Sequence, residues 1–124
     1  MRFIDECTST LQVGQFVQYN DSNLIDTLST GRNLGLCISI KTESVSVGDD
    51  LPRVNKLIAE IVTHGSANVP LSESASYKGA DLYRNGSVLT AVPHGDVIAV
   101  LIPKGFGTEK IDYNPGDLAT VVLL

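Results

Sequence analysis

The sequence predicts an all-β fold, a small barrel or sandwich with at most one short helix, and three observations carry that reading. Short apolar segments recur along the chain between Gly, Asn, Asp and Pro, as in "FVQY", "NLID", "LGLCISI", "ANVPL", "SVLTAV", "VIAVLI" and "LATVVLL". The stretch "YKGADLYRNGSVLTAV" places Asn85-Gly86 between two apolar flanks, and Asn-Gly supplies the positive φ angles of a tight two-residue hairpin. Finally, "GQFVQYNDSNLIDTL" from Gly14 and "GADLYRNGSVLTAV" from Gly79 follow one plan of Gly, a strand with Tyr, a polar turn with Asn and an apolar return strand. Each is followed by a Gly-bearing loop and a hydrophobic strand, which describes two similar β-layers packed into one core. Closing that core would also protect strand edges.

From the start, residues 1–12 read as an N-terminal arm or a first strand, and residues 13–124 as a single β-domain. Phe3 and Ile4 beside Arg2 place two large apolar side chains near a terminus, where a segment packs either on its own barrel or on a partner. Cys37 lies inside "LGLCISI" and reads as a buried thiol, since free Cys packs as a small hydrophobe; a Cys7–Cys37 disulfide has no support in the spacing. Residues 41–53, with Gly48-Asp49-Asp50 and Pro52, read as an exposed loop or hairpin tip. Within "PRVNKLIAEIV", Val54, Leu57, Ile58, Ile61 and Val62 fall at helical spacing after Pro52, yet the β-branched pair Ile61-Val62 and Thr63 lead into another strand-like run. Strand is preferred there, with a short helix as the alternative.

At 124 residues, 43% hydrophobic and 19% charged, the chain suits one domain with its own core. Net charge is −5, the sequence pI is about 4.8, and the nine basic residues are scattered singly. Nucleic-acid binding normally needs a concentrated positive patch, so no nucleic-acid partner is expected. No apolar run approaches the ~20 residues that cross a bilayer, and "MRFIDECTST" turns acidic before a signal-peptide core could form. No membrane partner is expected, and synthesis in a cytoplasm is.

Concentrated reactive sets are hard to find. His64 in "VTHGSA" and His94 in "VPHGDV" precede glycines and read as surface turn residues; with Asp96 they match no zinc spacing. Ser66 beside His64, or Cys37 with either His, comes without a pattern placing a base, an orienting group and an oxyanion hole together. Gly105 and Gly107 lack the phosphate-loop pattern. The acidic residues beside glycines, at Asp49, Asp96 and Asp117, fit turn chemistry. Thus no catalytic residue, metal or cofactor is expected.

"GADLYRNG", "IPKGFGT" and "KIDYNPGDLATVVLL" resemble pieces of trimeric dUTPases, all-β nucleotide hydrolases. That family carries an Arg-Ser-Gly motif between the second and third pieces and a Gly-rich tail that closes the site. Here Gly107 runs through Thr108, Glu109 and Lys110 into Ile111, leaving no room for the motif, and the sequence ends at Leu124.

A second resemblance covers nearly the whole chain. The order "VGQFVQY", "LGLCISI", "AEIVTHGSANVPL", "YKGADLYRNGSVLTAV", "VIAVLIPKG", "GDLATVVLL" is similar to the small capsid-stabilising, or decoration, proteins of tailed bacteriophages. Gly14, Val17, Gly35, Gly65, Gly79, Leu82, Tyr83, Gly86, Gly116 and Asp117 match their plan. Residues 41–53 and "PKGFGTEKIDYNPGD" are longer than that plan requires. The resemblance implies a β-tulip or barrel core, no enzymatic activity, attachment to the major capsid protein on the virion exterior, and a homotrimer. On that reading Arg2, Phe3 and Ile4 are expected to contact the capsid or a neighbouring subunit. Gly14, Gly79, Asn85, Gly86, Gly116 and Asp117 are expected to be turn and scaffold positions. A phage tail, collar or fibre-base subunit is the structural alternative, and a degenerate dUTPase-like hydrolase the enzymatic one.

Overall fold

A computed structural model describes residues 1–46, 48–71, 81–102 and 113–124. Within them the chain is all-β, in two curled antiparallel sheets and without a helix. The first sheet holds β1 (Arg2–Glu6), β2 (Phe16–Tyr19), β3 (Ile25–Thr27), β4 (Gly35–Val45) and β5 (Val54–Val62), ordered β1-β5-β4-β2-β3. The second holds β6 (Gly65–Pro70), β7 (Asp81–Asn85), β8 (Val88–Thr90), β9 (Ala99–Leu101) and β10 (Leu118–Leu123), ordered β6-β10-β9-β7-β8. Counted from its own first strand, each sheet has the same order.

The register repeats as well. Across β2, β4, β5 and β1 of the first sheet runs the row Phe16–Leu36–Val62–Arg2. Its counterpart across β7, β9, β10 and β6 is Asp81–Val100–Val122–Ser66. One step along, on the opposite face, Cys37–Ile61–Phe3 corresponds to Leu101–Val121–Ala67. The repeat read from Gly14 and Gly79 is therefore part of a larger one, five strands long.

The long β4–β5 hairpin shows why local pattern misleads. Leu57, Ala59 and Ile61 alternate toward the core, while Lys56, Ile58 and Glu60 alternate outward. Val54, Ile58 and Val62 put apolar residues on the outer face as well, and apolar residues on both faces create the helical spacing; the segment is a strand. The expected loop over residues 41–53 is shorter than predicted. Lys41–Val45 continue β4, and Val45 faces Val54 across the turn. There the Arg53 side chain fastens the tip, donating from Nε to Ser44 Oγ (2.8 Å) and from Nη2 to the Ser44 carbonyl (2.9 Å).

Two cores result. One lies inside the curl of the first sheet, built from Cys7, Leu11, Val17, Ile25, Cys37, Ala59 and Ile61, with Phe3 and Leu57 packed against them. A parallel bridge between Cys7 and Ile25 draws β1 and β3 together, so this sheet nearly closes on itself. The other core fills the second sheet and takes in Phe16, Leu28, Leu36 and Val62 from the first. Those four side chains join the halves, helped by a bridge between Gln15 and Val88 and by the Phe16 amide donating to the Ser87 carbonyl at 2.9 Å.

Candidate functional site

Arg2, Phe3 and Ile4, the predicted contact residues, all lie on β1, the edge strand paired to β5. Strand alternation sends them to different places. Phe3 turns inward onto the core of the first sheet. Arg2 lies on the outer side, where Nη1 meets Glu60 Oε1 at 3.3 Å and Nη2 donates to the Ser66 carbonyl at 3.1 Å, tying β1 to β6. Ile4 is the exposed apolar one, at 67% of its full accessibility. It faces outward with Ile58, and a shallow depression of about 90 Å³ between them is bordered by Ser39, Lys41, Glu43 and Glu60. Nearby, Lys56 Nζ and Glu6 Oε2 are 3.5 Å apart. Exposed pairs of this kind add little stability, but they give the apolar spot a charged border.

The described members of the expected turn set lie at turns and strand ends, with Asn85 placed differently from the reading. Asn85 is not a central turn residue: it is the last ladder position of β7, opposite Val88, so the two loop residues are Gly86 and Ser87. Gly86 has φ +60°, whereas Asn85 and Ser87 have none of the positive φ that Asn23 shows, which is the pattern of a turn with glycine first. Arg84 Nη1 donates to the Gly86 carbonyl at 2.8 Å. Gly14 donates its amide to the Cys37 carbonyl at 2.8 Å and lies against Pro70, bringing the halves together. Before β10, Asp117 Oδ2 accepts from the Asn114 amide (2.9 Å), and the Gly116 amide donates to the Leu71 carbonyl (2.7 Å). Gly79, Gly105 and Gly107 lie outside the described residues.

Titratable groups show how little of the interior is reactive. Cys7 and Cys37 are free and buried in the same core. Burial pushes the Cys37 thiol from an ordinary 9.0 to about 11; a backbone hydrogen bond at Ser39 works against the rise and the nearby Cys7 adds to it. Cys7 is raised by burial first and by Glu6 second. Both thiols stay protonated at neutral pH, unlike a nucleophilic cysteine. Tyr19 is raised chiefly because its hydroxyl donates to Asp5 Oδ2 at 2.6 Å. His64 occupies the exposed β5–β6 turn with Nδ1 3.1 Å from Thr63 Oγ1, and His94 and Asp96 are exposed in the segment before β9. Among the described residues no three His, Cys, Asp or Glu side chains group into a cation site.

Sequence reasoning missed the seam between the halves. A groove of about 260 Å³ opens there beside Phe16, Leu34, Gly35, Ile98 and the C-terminal Leu123-Leu124, and another of about 300 Å³ runs along Gln12–Gln15 against Pro70 and Leu71. Both follow from the docking of one sheet on the other, which no local motif encodes. The outer face of the second sheet was missed too, because alternation alone does not tell which apolar residues face away from a core. Comparison of the chain with protein-family models, with curated proteins and with solved structures finds no match.

Proposed function

We propose that this protein is a non-enzymatic structural protein of a bacteriophage virion that attaches to the outer surface of the capsid, binds the major capsid protein and stabilises the shell as a homotrimer. The observation that carries the reading is Ile4. It stands 67% exposed on an ordered edge strand beside Ile58, with Arg2, Lys41, Glu43 and Glu60 around it. An apolar centre with a polar border is the anatomy of a protein-binding surface. The capsid enters through the resemblance to decoration proteins. Of the residues that carry that resemblance, Val17 and Leu82 are core positions and Gly35 and Gly86 are turn or ladder positions.

The mechanism is linkage: a protein that binds the assembled shell and not its loosened form shifts the balance toward the assembled one. Undecorated heads mixed with the purified protein should carry it down on sedimentation, and Ile4→Asp should reduce the bound fraction while the circular dichroism stays that of the parent. No cosedimentation, or turnover of dUTP by the purified chain, overturns the reading.

A further inference from the structure

The repeat supplies an internal control for the outer face of the second sheet. In the first sheet the row Phe16–Leu36–Val62 is 2%, 0% and 0% exposed, because the second half of the chain lies over it. In the second sheet the equivalent positions are Asp81, Val100 and Val122. Val100 and Val122 face each other across the β9–β10 ladder, and neither belongs to either core. Beyond them the same side of β10 carries Thr120, whose hydroxyl donates to Asn68 Oδ1 at 2.6 Å, and Leu118, which is 68% exposed.

Charge separates the two outer faces. That of the first sheet carries Arg2, Glu6, Lys41, Glu43, Lys56 and Glu60, with two ion pairs. On β6, β9 and β10 the described outward residues include no Lys, Arg, Asp or Glu; among the described residues, charge borders this face at Asp81 on the β7 margin and at the Arg2 guanidinium, which donates to the Ser66 carbonyl on β6. In a chain of net charge −5, two such faces can meet without like charges opposing each other.

We infer that the outer face of β10 and β9, centred on Val122 and Val100 and extending to Leu118, packs against a second copy of this chain. The occupant follows from the molecule itself: the equivalent row of the first sheet is already covered by a copy of the same five-stranded unit. Among the described residues the strands at its centre, β9 and β10, carry no charge, where a partner chosen by opposite charge would require one. The inference does not rest on the capsid reading, since its test contains no heads.

The test is the mass of the full chain in solution by sedimentation velocity and light scattering. The parent should sediment as a species of two or more chains. Val122→Lys and, separately, Leu118→Lys should each bring it down to one chain of 13.2 kDa with the β circular dichroism retained. Val54→Lys, on the outer face of the first sheet near the hairpin tip, should leave the assembled mass unchanged. Leu118 is mostly solvent-exposed, so its variant keeps the test informative if Val122→Lys fails to fold. A parent that is a single chain at every concentration overturns the inference, as does an assembly that survives Leu118→Lys or is broken by Val54→Lys.

Discussion

Residues 2–62 and 65–123 trace the same five strands in the same order and register, yet matching positions hold different side chains. Where β2 meets β4, Val17 faces Gly35; where β7 meets β9, Leu82 faces Ala99. Cys37 in the first inner row is Leu101 in the second, and Ile61 is Val121. The first sheet closes over a core of its own through the Cys7–Ile25 bridge. The second shares its core with side chains of the first. A β-unit is thus defined by where its strands turn and which residues alternate inward. What occupies each position is settled by what lies opposite, and that differs between an enclosed core and a shared one.

Gly35 is where the difference is sharpest. Its φ is +138°, and a Cβ built on it would meet the Val62 carbonyl oxygen at 2.4 Å, backbone that cannot step aside without breaking the β4–β5 ladder. Gly35→Ala should cost about 3 kcal/mol or more, by combining a disfavoured φ with overpacking, and urea unfolding should show it. The matching exchange in the other half, Ala99→Gly, should cost only about 1 kcal/mol, the usual penalty for glycine inside a strand. Equal costs would mean that the halves are equivalent in packing as well as in register.

Next in size is the inner row. Ile61 and Val121 are both fully buried. Ile61→Ala should lose about 2–5 kcal/mol and Val121→Ala about 1.5–3 kcal/mol, since the larger side chain leaves the larger cavity. Both variants should still unfold in one transition, because Phe16, Leu36 and Val62 bind the halves through a common core. A second transition confined to Ile61→Ala would show that the enclosed core unfolds alone.

Titration distinguishes the halves further, for Cys37 has a protonatable side chain where the second half has Leu101. The folded thiol holds its proton to about pH 11, while the unfolded one releases it near 9.0. Between those values the native state binds more protons than the unfolded state, so stability falls as pH rises. The contribution is complete below about pH 9 and is lost by about pH 11, on the order of 2–3 kcal/mol for a shift of that size. Denaturant midpoints measured across this range should fall less steeply in Cys37→Ala than in the parent. Tyr19, also raised, adds a slope common to both proteins.

How far these differences could be read from the chain depends on how local their causes are. The all-β class, the strand over Val54–Val62 and the buried Cys37 rest on alternation and turn chemistry within a few residues of each other, and those were legible. Asn85-Gly86 was read one residue early, because either Asn85 before Gly86 or Ser87 after it can complete a two-residue loop until the ladder pairs Asn85 with Val88. The full repeat was only half legible. Two hairpins share Gly and Tyr, but β1 and β6, or β5 and β10, correspond only through pairing across the sheet. Ile4 could be named a contact candidate from its place near the terminus. That Phe3 points the other way required knowing that residues 2–6 form a strand.

The smallest expected effect compares the two hairpin turns, which solve the same bend with different residues. In the first half Asn20 Oδ1 accepts from the Ser22 and Leu24 amides at 2.9 and 3.1 Å, and Asn23 takes φ +62°, a conformation that asparagine tolerates well. In the second half the loop is two residues long and Gly86 takes φ +60° with open space around it, so only the backbone angle constrains the residue there. Asn23→Gly should change stability by less than about 0.5 kcal/mol, since glycine reaches the same angle freely. Gly86→Ala should cost about 1–2 kcal/mol, and Gly86→Val more, because a branched Cβ narrows the choice of backbone angles further. Thermal midpoints of the three variants should therefore rank Asn23→Gly above Gly86→Ala above Gly86→Val. A Gly86→Val protein as stable as its parent would mean that the second hairpin does not need a positive φ and that the two turns differ only in length.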